Sequence, residues 1–172
     1  LYSFFNETLT HETSVNEQLQ DHIVQGVCRD REGKLWVGTF GKGIFIFNLQ
    51  GKLLNNYQKD NGFPSNAVNS LTTDSQGRIW VATREGANLF PNTRTPDNYQ
   101  TFSNAEGLIN TQVRAIREDR DGNIWISTNA GISRLNESQK TFYNYDPRDG
   151  IPLGDCMDGS SALEAEGKLC EL

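Results

Sequence analysis

Short apolar runs follow one another along this chain, each bounded by Gly, Asn, Asp or Pro. One run repeats with its approach. Asp74-Ser75-Gln76-Gly77-Arg78-Ile79-Trp80-Val81-Ala82-Thr83 is echoed by Asp30-Arg31-Glu32-Gly33-Lys34-Leu35-Trp36-Val37-Gly38-Thr39 and by Asp119-Arg120-Asp121-Gly122-Asn123-Ile124-Trp125-Ile126-Ser127-Thr128. Trp36 and Trp80 are 44 residues apart, Trp80 and Trp125 are 45 apart, and no other tryptophan occurs. A weaker fourth copy begins at Glu164, its Gly167 lying 45 residues after Gly122. A β-rich period of this length signals a repeat architecture.

Each copy predicts a tight turn and then a strand. The Asp side chain can hydrogen-bond the backbone ahead of it, and Gly three residues on supplies a left-handed residue. Positive φ is therefore expected at Gly77 and Gly122. The strand is β-branched and aromatic and apolar on both faces, so both faces should be covered. The next position is small (Gly38, Ala82, Ser127), which predicts close approach between neighbouring sheets. Strands are also expected before each turn, at Val24–Arg29, Val68–Thr73 and Val113–Glu118, and after it, at Ile44–Asn48, Ala87–Phe90 and Ile132–Leu135. A fourth set, rich in Phe and Tyr, is expected at Leu53–Tyr57, Asn98–Phe102 and Thr141–Tyr145. Four antiparallel strands per period describe an all-β propeller blade. All five prolines fall between these strands, where a missing N–H costs no ladder bond.

The blades then occupy residues 24–66, 67–111 and 112–155, with 156–172 opening a further one whose inner strand is Ser160–Leu163. Leu1–Phe5 reads as the outer strand of a preceding blade, and a long loop completes residues 1–23. Thr10–Asp21 either forms a short helix or is an unstructured insertion. At 172 residues the chain holds about 3.8 periods, which reads as a piece of a larger propeller; a small four-bladed one is the alternative. Such an arc would leave apolar end faces bare, to be covered by a second copy or by further blades of a parent chain.

The repeat resembles the two-component regulator propeller repeat, found in the extracytoplasmic sensor half of bacterial hybrid two-component proteins. The likeness rests on the D-x-x-G-x-[LI]-W-[VI]-[GAS]-T string and on links similar to G-[LFI]-P-x-N. Those links are Gly62-Phe63-Pro64-Ser65-Asn66, Gly107-Leu108-Ile109-Asn110-Thr111 and Gly150-Ile151-Pro152-Leu153-Gly154. The second lacks the proline and the third the asparagine. The resemblance covers residues 19–172 and implies a seven-bladed parent, a periplasmic location and a ligand that is a polysaccharide fragment. It also implies a histidine kinase elsewhere in the parent protein.

Composition narrows the alternatives. The net charge of −6, with no basic stripe interleaved with aromatics, argues against nucleic acid. No apolar run nears the roughly 20 residues that span a bilayer, so no membrane insertion is expected of this segment. Cys28, Cys156 and Cys170 have no disulfide or metal spacing. The acidic turns lack the sixth-position glycine and closing Glu of an EF-hand, and their Asp-to-Gly spacing is one residue longer than in the sialidase Asp-box. Two histidines, His11 and His22, do not supply a lyase-type catalytic set. No catalytic residue, metal or cofactor is therefore expected, and an enzyme such as a lyase ranks below a binding module.

Topology points to one face. The turns after the Trp strands share it with the links between blades, and they vary while the strands do not. Variable polar loops on a constant scaffold are a common way to build a binding site. The candidate ligand residues are Phe40, Lys42, Arg84, Glu85 and Asn129 on those turns, with His22, Asn66, Asn110 and Asp155 beside them. Amides, a guanidinium and an aromatic suit sugar hydroxyls. A protein-interaction propeller is the alternative.

Overall fold

A computed structural model describes residues 13–150 and, outside them, the short strands β1 (Tyr2–Phe5), β2 (Thr8–His11), β15 (Ala162–Leu163) and β16 (Leu169–Cys170). Between them lie α1 (Thr13–Leu19) and three four-stranded antiparallel sheets. Blade 1 is β3 (Ile23–Arg29), β4 (Leu35–Phe40), β5 (Gly43–Phe47) and β6 (Leu53–Tyr57). Blade 2 is β7 (Val68–Thr73), β8 (Ile79–Thr83), β9 (Gly86–Phe90) and β10 (Gln100–Phe102). Blade 3 is β11 (Val113–Glu118), β12 (Ile124–Thr128), β13 (Gly131–Asn136) and β14 (Thr141–Tyr145). Strands pair in chain order within each sheet, and the inner strands β3, β7 and β11 adjoin one another from blade to blade. This is the expected propeller arrangement.

The repeated turn has the expected form and one further bond. Gly33, Gly77 and Gly122 have φ of 78°, 79° and 82°. In each copy the Asp Oδ1 accepts the backbone N–H four residues on, at 2.9, 2.8 and 2.8 Å for Asp30, Asp74 and Asp119. The Oδ2 of the same residues accepts the indole N–H of Trp36, Trp80 and Trp125, at 3.1, 2.9 and 2.7 Å. One carboxylate thus ties the turn to the largest side chain of the strand that follows.

The core lies in the seams between sheets. Trp36, Ile44 and Ile46 of blade 1 meet Val68, Ile79 and Val81 of blade 2. Trp80, Ala82 and Leu89 of blade 2 meet Val113, Ile124 and Ile126 of blade 3. The small position is explained here: a Cβ on Gly38 would sit 2.3 Å from Leu71 and 2.5 Å from Val68 of the next blade. Each seam also holds an apolar residue from the link, Phe63 in one and Leu108 in the other, both buried.

Two expectations change and one feature is added. The segment before blade 1 contains α1, and its Val15 and Leu19, one turn apart, are buried against Val37, Phe45 and Phe47. The face of blade 1 expected to be bare is therefore largely covered by the chain itself, while Ile23, Val24 and Val27 of β3 stay exposed. Strand β10 begins at Gln100, not Asn98, because Asn92–Thr95 and Thr95–Asn98 close successive turns. Finally, each link contains a 3-10 turn, at Lys59–Asn61, Asn104–Glu106 and Pro147–Asp149, ending in a left-handed Gly62, Gly107 or Gly150. Tyr2–Phe5 pairs with Thr8–His11, and Ala162–Leu163 with Leu169–Cys170.

Candidate functional site

The turns after the Trp strands are knitted to the links, which places both on one face. The N–H groups of Gly41 and Gly43 donate to the Asn66 carbonyl at 2.8 and 2.9 Å. The Arg84 N–H donates to the Ala67 carbonyl and the Asn129 N–H to that of Gln112, at 3.3 and 3.2 Å. Each turn is closed by the last Thr of the repeat string: Thr39, Thr83 and Thr128 donate their hydroxyls to the carbonyls of Gly43, Gly86 and Gly131 at 2.9, 2.8 and 2.9 Å.

Blades 1 and 2 meet on this face through a side-chain pair. The Arg84 guanidinium lies 4.7 Å from the centroid of the Phe40 ring, and Phe40 is 38% exposed. Such a stack holds a cation in place over an aromatic face. Lys42 is exposed on the neighbouring turn. Glu85 faces Lys59 of the link at 3.5 Å, an exposed pair of small energetic weight.

Other candidates are engaged by the protein. The Asn66 side chain accepts the Lys59 N–H at 2.7 Å, and the Asn110 side chain accepts that of Gln112 at 2.8 Å. Asn129 accepts from Arg114 Nε and donates to Gln112 Oε1, both at 2.6 Å. His22, just before β3, lies with its ring 5.8 Å from that of Phe45. Asp155 lies outside the described residues, as does most of the third link.

Sequence reasoning missed one row of residues. Each inner strand carries a bulge near this face: between Val24 and Gly26, between Val68 and Ser70, and between Val113 and Ala115. The extra residues are Gln25, Asn69 and Arg114. A bulge re-aims the side chain it carries. Asn69 donates to the Val113 carbonyl of the next inner strand at 2.6 Å, and its Oδ1 is buried with no partner among the described residues. The signal was present as a polar residue between Val and a small residue at a constant offset.

Chemistry elsewhere is sparse. Burial pushes the Cys28 thiol up to about 11, with Asp30 adding to the effect, so it is a poor nucleophile at neutral pH. Among the described residues no three of His, Cys, Asp and Glu converge as metal ligands, and no helix is long and apolar enough to cross a membrane.

Comparison with known proteins accords with this geometry. Residues 18–41, 62–85 and 107–130 match the family described as "two component regulator propeller". The extracellular domain of the hybrid two-component system BT3049 from B. thetaiotaomicron superposes with a TM-score of 0.82 at 41% identity, over 86% of this chain and 20% of that one. The chain thus spans about a fifth of that structure's length. The extracellular domain of BT4673 from the same organism gives a TM-score of 0.59 at 22% identity, covering 72% of this chain and 18% of that one. Virginiamycin B lyase from Staphylococcus aureus gives 0.61 at 19%, covering 87% and 48%, which is a likeness of fold alone. Among curated proteins none matches the chain. The turn, the Trp strand and the link recur in one frame, and in that frame the chain carries three copies of the two-component regulator propeller repeat.

Proposed function

We propose that this chain is part of an extracytoplasmic sensor propeller of a two-component signalling protein. It binds an oligosaccharide on the link face and passes the signal to a histidine kinase elsewhere in the parent protein. The observation that carries this reading is the Arg84–Phe40 stack, which joins two blades on the face where the turns vary. An aromatic surface beside a guanidinium, with Lys42 and Glu85 close by in sequence and Asn129 on the corresponding turn of blade 3, offers an apolar wall and both donors and acceptors. That combination suits sugar hydroxyls. The likeness to the extracellular domain of a hybrid two-component system supports the sensor role and the location outside the cytoplasm. A lyase activity has less support, since the likeness to lyases is one of fold.

The test is a calorimetric titration of the intact protein with a panel of oligosaccharides. Binding should weaken tenfold or more in Arg84→Ala and Asn129→Ala, about 1.4 kcal/mol or more. Unchanged affinity in both would place the site elsewhere.

A further inference from the structure

The seams between sheets are filled differently at the end opposite the link face. Against blade 1, α1 fills the space. Between blades 1 and 2, the long stretch 91–99 folds back onto blade 1. Lys34 Nζ donates to the Thr93 carbonyl at 2.9 Å, Arg94 Nε to Glu32 at 2.8 Å, and the Tyr57 hydroxyl to Asp97 at 2.7 Å. Between blades 2 and 3 the matching stretch, residues 137–140, is shorter. There Glu137 reaches back to the Arg78 guanidinium at 2.6 and 3.0 Å. A cavity of about 200 Å³ remains between the two blades.

Its walls are chemically two-sided. Pro91, Phe102 and Leu135 give it an apolar side, while Arg78, Gln100, Glu137 and Lys140 give it donors and acceptors. Arg78 is fixed beforehand: it is bound to Asp74 as well as Glu137 and lies 5.7 Å from the centroid of the Trp80 ring. Preorganised groups lose less entropy on binding. Lys140 has φ of 52°, in the left-handed region where blade 1 has a glycine, Gly51 with φ of 74°, in the corresponding turn. A non-glycine residue there is strained by about 1–2 kcal/mol, and such strain gathers at ligand sites.

We infer that this seam is a second sugar subsite, which takes a single pyranose or furanose ring. The C–H face of the ring lies on Phe102 and Pro91. Its hydroxyls, which both donate and accept, meet Gln100, Glu137 and Lys140. A volume of this size admits one ring and not a chain of them, so the subsite holds one unit at the rim. This inference rests on the oligosaccharide reading above but places a contact at the opposite end of the sheets.

Calorimetric titration of the intact protein with neutral hexoses and pentoses tests it. Millimolar binding is expected, weakened fivefold or more by Gln100→Ala and by Lys140→Gly. Lys140→Gly relieves the left-handed strain, so its melting temperature should equal or exceed that of the parent. Its loss of binding would then not be a loss of fold. Equal affinity in both variants, or no binding of any monosaccharide, overturns the proposal. If an oligosaccharide binds and is weakened by Arg84→Ala but not by Lys140→Gly, the seam subsite fails while the sensor reading stands. If the pattern is reversed, the seam subsite is supported and the link face loses its role.

Discussion

Trp80 donates its indole N–H to Asp74 Oδ2 across 2.9 Å, and the Trp80 side chain is wholly buried. The same oxygen takes the Arg78 Nε–H, so one carboxylate atom holds turn, strand and seam together. Trp80→Ala should cost about 3–5 kcal/mol in denaturant melts, as large aromatic truncations in cores do. Trp80→Phe keeps most of the ring but leaves the carboxylate short of a donor, and about 1–3 kcal/mol is expected. A loss below about 1 kcal/mol for Trp80→Ala would contradict the buried seam.

Asp119 makes the corresponding bond in blade 3 and yields a pH prediction. Burial opposes its ionisation, but hydrogen bonds from Trp125, Asn123 and the backbone outweigh it and hold its carboxyl below the usual range. A lowered folded-state value means the stabilisation is complete above the unfolded value, about 3.9. It is lost as pH falls through the lower folded-state value. Denaturant midpoints should therefore drop below about pH 4, and Asp119→Asn should flatten that acid limb.

Gly86 is required for two separable reasons. Its φ is 125°, and a Cβ there would lie 2.5 Å from the Phe102 carbonyl oxygen. Gly62 shares the first reason, with φ of 93°, but has nothing within 4 Å. Gly62→Ala should cost about 1–2 kcal/mol for the backbone alone. Gly86→Ala should cost clearly more and open the pairing of β9 with β10, read by faster amide exchange at Phe102.

Leu19→Ala should cost about 2–5 kcal/mol. It should also release α1, which is too short to be stable unaided. Increased amide exchange across Val15–Leu19, with blade 3 unchanged, would check this. Equal loss of protection in blade 3 would mean that α1 is not a local cover.

The elements readable beforehand are those whose own residues dictate them. The turn glycine, the Trp strand and the Phe/Tyr strand each carry their signal within a few positions, and their ends fall within two residues of expectation. Elements decided at a distance were not readable. Thr13–Leu19 has weak periodicity and gains its stability from Phe45 and Phe47 in another element. The Asp-to-Trp bond was visible only as a constant separation of six residues. For the candidate site, topology gave the shared face, but the Arg84–Phe40 stack depends on how two blades are rotated against each other. That rotation is set by the whole seam.

The buried link residues have a consequence for how such a protein grows. Leu19, Phe63 and Leu108 each lie 17 residues before the tryptophan of the sheet that follows. Each family match begins one residue before them, at 18, 62 and 107. The plug of a seam is therefore held at a fixed distance from the blade it precedes, and Phe63 and Leu108 also each follow the end of the preceding sheet, Tyr57 and Phe102, by six residues. A duplication cut just ahead of the plug copies a self-consistent cassette. Extra residues ahead of it, such as residues 13–18 of α1, lengthen the chain without shifting any later register. Between blades 1 and 2 the one-residue change of period falls inside the sheet, since Trp36 and Tyr57 are 21 residues apart and Trp80 and Phe102 are 22 apart, so length variation should gather in the turn before the outer strand and in the segment ahead of Leu19.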